Sequence, residues 1–178
     1  MLDWKSRYPD QEARRGIRAE AFYIGSLLVL VPILLLVLWL DYPKRWFGIP
    51  DAKYPAIFKF GVAWLSGTLG GTLFDLKWLY HSVARSIWHL DRRLWRIFTP
   101  HVSGGLAFAV VALVSSGVVR LFDSAAVQSG SLIAGIAFLI GYFSDSAIAK
   151  LSELAETLFG ATRSKAPPAH PSNHTTRS

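Results

Sequence analysis

Residues 21–40 read AFYIGSLLVLVPILLLVLWL, twenty positions without a charged side chain. At about 1.5 Å per residue a helix of that length reaches roughly 30 Å, the thickness of a bilayer's hydrocarbon core. Leu, Ile and Val fill most of it, and at about −0.3 to −0.6 kcal/mol each near a helix centre they outweigh the cost of Pro32 and Gly25. The stretch is a membrane span, so the rest of the chain is read with lipid as its solvent. Twenty residues containing four acids precede it, and LDYPKRW follows where a cleaved leader would show small residues, so the sequence predicts a retained anchor.

Composition agrees with this start. The chain has 178 residues, is 52% hydrophobic and has a mean hydropathy of +0.32, too apolar for an ordinary soluble domain of that size. Its net charge of +7 sits mostly beside apolar segments, which points to anionic lipid headgroups as partners and away from nucleic acid. There is no cysteine, which excludes disulfides, thiolate metal sites and cysteine nucleophiles.

Working outward, residues 1–20 form a cytoplasmic N-terminal segment whose role is read as setting orientation. After Leu40 the sequence DYPKRWFGIPDAKYP carries prolines and a glycine that break helices and aromatic rings suited to the headgroup boundary, predicting a loop on the membrane surface. A second span is predicted over 55–76, where Ala63, Gly67 and Gly71 recur every fourth residue. Small residues at that spacing let another helix's backbone come close, which is how membrane helices associate in lipid. A third span, 98–119, carries Gly105 and Ala109 among its small residues. A fourth, 125–144, carries Gly130, Ala134, Ala137 and Gly141.

Between spans two and three, residues 77–97 show apolar positions at helical spacing with Lys77, Arg85, Arg92, Arg93 and Arg96 as charge and Trp78, Trp88 and Trp95 as interfacial aromatics. This predicts an amphipathic cytoplasmic helix whose basic and indole side chains contact lipid or a cytoplasmic protein partner. Residues 146–159 predict a second amphipathic helix, able to continue span four directly. The polar, proline-rich residues 161–178 predict a disordered cytoplasmic tail. The fold class is therefore all-α: a polytopic membrane protein in which residues 21–160 form a bundle of four transmembrane helices with two amphipathic cytoplasmic helices.

Four spans put fourteen of the nineteen Lys and Arg residues on one side and five on the other. Because the bias of basic residues in short loops sets orientation, both termini are expected in the cytoplasm, in a cell membrane of the bacterial inner-membrane kind.

Chemistry is less legible. Lys59, Asp75, Arg120 and Asp145 fall near span ends, where anchoring or helix-end ion pairing accounts for them. Asp75, Asp145 and Arg120 are also the candidates for gating, the two acids pairing with Arg85, Arg92 or Lys150. His81, His89, His101 and Asp91 lie close in sequence, but their spacing puts His89 and Asp91 on different helix faces, so no metal and no cofactor is expected. No nucleotide or catalytic-triad motif is present. The sequence is read as a non-enzymatic membrane protein that self-associates into a homo-oligomer through its small-residue faces and contacts lipid or a partner with its basic helices. An oligomeric channel or membrane-perturbing effector with Ser66 and Thr68 near the pore is the alternative. A headgroup-level enzyme using His81, His89, Asp75 or Asp91 is the weakest reading.

Overall fold

The computed structural model describes residue 8, residues 10–117 and residues 129–160, and among these all regular structure is helical. Helix α1 is Gln11–Trp39, α2 Tyr42–Phe47, α3 Tyr54–Ala84, α4 Arg93–Ser115, α5 Gly130–Tyr142 and α6 Ser144–Phe159. Three of them, α1, α3 and α4 with the 3₁₀ turn before it, are long and apolar enough to cross a membrane. Arg120 and the tail 161–178 lie outside the described residues.

Helix α1 begins ten residues before the apolar run, capped by Asp10, whose carboxylate accepts from the Glu12 N–H at 3.2 Å. The surface loop expected after Leu40 contains one short helix, because Pro43 sits in its first turn, where no N–H is needed. Trp46 and Phe47 on it are exposed.

Helix α3 is the centre of the bundle, touching α1, α4 and α5. It runs antiparallel to α1: Tyr54 Oη donates to the Leu38 carbonyl at 3.0 Å, and Ile24 meets Leu79 at the opposite end. It runs antiparallel to α4 as well, with Lys59 Nζ donating to Ser115 Oγ at one end and Gly71 against Ser103 and Pro100 further along. Helix α5 lies parallel to α3, from Gly130 beside Phe58 to Gly141 against the Gly67 backbone. One core fills the middle, built on Leu38, Val62, Ala63, Ala107, Val111, Ile133 and Ala137. A second sits at the end of the bundle holding most basic residues, where Ile24, Leu79 and Trp88 pack with Ile17 and Val83.

The small residues of α3 serve these contacts within one chain. A methyl group on Gly67 would overlap Ala107 and come within 2.9 Å of the Ser103 carbonyl; one on Gly70 would overlap the Phe138 carbonyl. Ala63 and Ala137 are fully buried, and Ala134 packs against the same core. On α4 the packing face is shifted from the expected one. Ser103, Gly104 and Ala107 face α3, whereas Ala109 is exposed and Gly105 makes only ordinary contact with Trp64. The buried stripe Arg96, Pro100, Ser103, Ala107, Val110 follows helical spacing from a charged first member, which a search for small residues alone overlooks.

Two expected elements differ. An amphipathic helix over 77–97 does not form: α3 continues to Ala84, and the chain turns before a 3₁₀ turn at Leu90–Arg92 leads into α4. The turn is a Schellman arrangement with Ser86 in the left-handed region at φ 58°, the Ile87 N–H bonding the Ser82 carbonyl at 3.0 Å and the Ser86 N–H bonding Val83 at 3.2 Å. The helical spacing of apolar residues comes from two helix ends that share one small core. The second difference is at α5, which has 13 residues, about 20 Å of helix. It breaks at Phe143, and α6 leaves at 96° instead of continuing it.

Candidate functional site

The basic end of the bundle is assembled around Glu20. Its side chain is 2% exposed, although it lies in the segment read as merely orienting the chain. Arg96, 7% exposed, donates to it through Nε to Oε2 at 2.8 Å and Nη2 to Oε1 at 2.9 Å. Trp88 Nε1 donates to the same Oε2 at 3.0 Å, and Arg96 Nη2 also reaches the His89 carbonyl at 3.1 Å. The guanidinium lies 5.7 Å from the Trp88 ring centroid. A bidentate guanidinium–carboxylate pair of this kind, with further bonds from the indole and to the His89 carbonyl, is the arrangement that makes burying two charges tolerable.

Each partner is held by local structure. Trp88 enters the slot above Gly16, where a methyl group would stand 2.8 Å from the indole edge. Its backbone N–H donates to Tyr8 Oη at 3.1 Å, and that hydroxyl donates to the Ser82 carbonyl at 3.3 Å. Tyr23 Oη donates to the Ile97 carbonyl at 2.9 Å and stands 2.9 Å from His101 Nε2, tying α1 to α4 one turn deeper.

Beside the pair lies Asp75, 2% exposed and within electrostatic range of both Arg96 and Glu20. Its Oδ2 is buried without a hydrogen-bond partner among the described residues. A helix-end ion pair is therefore not its role: α3 runs nine residues past it, and none of Arg85, Arg92 or Lys150 pairs with it. Lys150 instead reaches Glu153 at 2.8 Å. Asp75 lines a cavity of about 170 Å³ with Trp78, Arg92, Trp95, Arg96 and Asp145, together with Phe74, Ser82 and Ile87. Asp145 arrives there because α5 ends at this level and α6 turns away, so α6 starts at the same end of the bundle as the first turns of α1.

The basic and aromatic residues of 77–97 thus divide. Lys77, Trp78, Arg85, Arg92 and Trp95 are exposed and Arg93 is half-buried, but Trp88 and Arg96 are interior and unavailable to lipid or a partner. Ser66 and Thr68 are also interior; Thr68 Oγ1 donates to the Trp64 carbonyl at 2.9 Å and its side chain fills the space beside Gly104. Among the described residues no three of His, Asp and Glu come together as a metal site. The Glu20–Arg96 pair went unread because its halves lie 76 positions apart and Glu20 stands at the edge of an apolar run. The one available signal was an acid followed directly by span one and a basic stripe entering span three. No family model, curated protein or solved structure matches the chain.

Proposed function

We propose that this chain is a non-enzymatic integral membrane protein whose basic, cytoplasmic end works at the headgroup layer and holds a small polar ligand in the basin beside Asp75. The observation that carries the reading is Asp75 itself. A carboxylate oxygen buried without a donor costs about 1–3 kcal/mol or more, so a side chain kept in that state at a cavity wall calls for a partner the cavity can admit. An ionisable residue inside a membrane-embedded bundle is moreover a functional pointer in its own right.

Among the described residues the lining contains no histidine, and its hydroxyl, Ser82 Oγ, already donates to the Leu79 carbonyl at 3.0 Å, which leaves Asp75 and Asp145 as its acceptors. Four crossings with both termini cytoplasmic remain our reading, supported by the shared end of α1 and α6 and by the bias of basic residues toward that end. Self-association through the α3 faces is not favoured, since α4 and α5 already fill them, and a pore lined by Ser66 and Thr68 would have to open inside one packed chain.

The test is to purify the protein and its Asp75→Asn variant in mild detergent and quantify the small polar molecules and lipids that each retains. A near-stoichiometric species held by the parent and lost from an equally stable variant supports the reading. Identical retained contents overturn it.

A further inference from the structure

Resting on that binding site, the geometry points to its ligand class: a zwitterionic phosphoethanolamine headgroup, with the primary ammonium against Asp75 and the phosphate toward Arg92. The buried groups at this wall are Asp75 and Arg96, which line the basin, and Glu20, which does not line it but is bonded to Arg96: two carboxylates and one guanidinium. Glu20 already takes two of the bonds Arg96 can offer, and the His89 carbonyl shares a third direction. One buried acid is left over, with Oδ2 lacking a donor. A ligand that brings positive charge and an N–H together would complete the cluster.

The rest of the lining describes the remainder of the ligand. Asp145 gives a second carboxylate for an ammonium that has three protons to share. Arg92, in the exposed 3₁₀ turn, offers a cation at the mouth for a phosphate. Trp78 and Trp95 stand on the lining with 45% and 61% of their surface exposed, the amphipathic rings that favour the headgroup level. A volume of about 170 Å³ admits a short polar group and leaves acyl chains outside, along the exposed Leu94 and Phe98.

This chemistry separates two common zwitterionic headgroups. A trimethylammonium group carries the charge but no N–H, so it cannot satisfy Asp75 Oδ2, whereas a primary ammonium can. One charge-assisted hydrogen bond corresponds to a preference of about tenfold or more. The indoles act the other way, since cation–π attraction serves a quaternary ammonium well. The comparison of the two lipids therefore reads which wall dominates.

The experiment is native mass spectrometry of the full chain in detergent, titrated with phosphatidylethanolamine, phosphatidylcholine and phosphatidylglycerol of identical acyl chains. The expected result is retention of the ethanolamine lipid about tenfold over the choline lipid. Asp75→Asn should remove that preference, and Arg92→Gln should weaken all three lipids without changing it. Displacement by free O-phosphoethanolamine at equal concentration would assign the same chemistry to a soluble source, and resistance to it assigns the lipid. Equal retention of the ethanolamine and choline lipids overturns the ammonium assignment while leaving a ligand basin. Loss of nothing in either variant, with no species retained by the parent, overturns the basin as well. The two-lipid comparison is made on the parent protein, so it stands even where Asp75→Asn does not fold.

Discussion

Arg96 holds Glu20 in a two-pronged grip, Nε to Oε2 at 2.8 Å and Nη2 to Oε1 at 2.9 Å, and so joins the entry of α4 to the first turns of α1. Removing either partner strands the other charge in the interior. Glu20→Gln and Arg96→Met should each lower stability by about 3–5 kcal/mol, read as a fall in melting temperature in detergent, while Glu20→Leu/Arg96→Leu recovers much of that loss. The charge swap Glu20→Arg/Arg96→Glu should recover far less, because Trp88 Nε1 would then point its proton at a guanidinium. A fully stable swap would show that the indole bond contributes nothing.

Trp88 and Gly16 should behave as a coupled pair. Gly16→Ala places a methyl 2.8 Å from the outer edge of the indole, an overpacking cost of about 1–3 kcal/mol. In a Trp88→Phe background, whose smaller ring vacates that edge, the same change should cost clearly less. Trp88→Phe alone forfeits the bond to Glu20, about 1.5–3 kcal/mol for a hydrogen bond to a charged group. Additive losses in the double variant would contradict the slot described here.

The glycines of the bundle should divide by what stands over them. Gly67→Ala and Gly141→Ala push a methyl onto neighbouring backbone that cannot step aside, and each should destabilise by about 1–3 kcal/mol or prevent folding. Gly135→Ala has open space within 4 Å and should be neutral or gain up to about 1 kcal/mol from helix propensity. Guanidine is a poor probe in detergent, so thermal unfolding by tryptophan fluorescence is the measurement. A destabilising Gly135→Ala would indicate that a second copy covers that face.

Topology is open to a direct check because the chain has no cysteine to remove. Single cysteines at Gly48, in the loop after α2, and at Ser146, on the first turn of α6, should react with a membrane-impermeant maleimide from opposite sides of a sealed vesicle. Labelling of both from one side would dismiss the even number of crossings proposed here.

Much of the frame could be read from hydrophobicity alone. The run 21–40 announces a helix long and apolar enough to cross a membrane, and the fourth-residue repeat Ala63, Gly67, Gly71 announces a packing face that does lie buried. The basin was hidden for a physical reason. Its lining comes from α3, the corner and 3₁₀ turn that follow, α4 and α6, with Arg96 bonded in turn to Glu20 of α1, and each residue looks ordinary locally: Glu20 as a flanking acid, Asp75 as a span end, Trp88 and Arg96 as interfacial anchors. Periodicity carried across residues 77–97 without a visible break because the left-handed corner is a serine, not the glycine that would mark it. The bend at Phe143 is equally silent, having neither glycine nor proline at the hinge.

The 76 positions between Glu20 and Arg96 also measure an interval of synthesis. At about 5–20 residues per second the ribosome takes roughly 4 to 15 s to deliver the arginine after the glutamate. For that time α1 exists without the one guanidinium that grips Glu20 in the finished bundle. The pair is therefore a clasp that closes only after α3 has been made, and the contact joining α1 to α4 is among the later ones the chain can form.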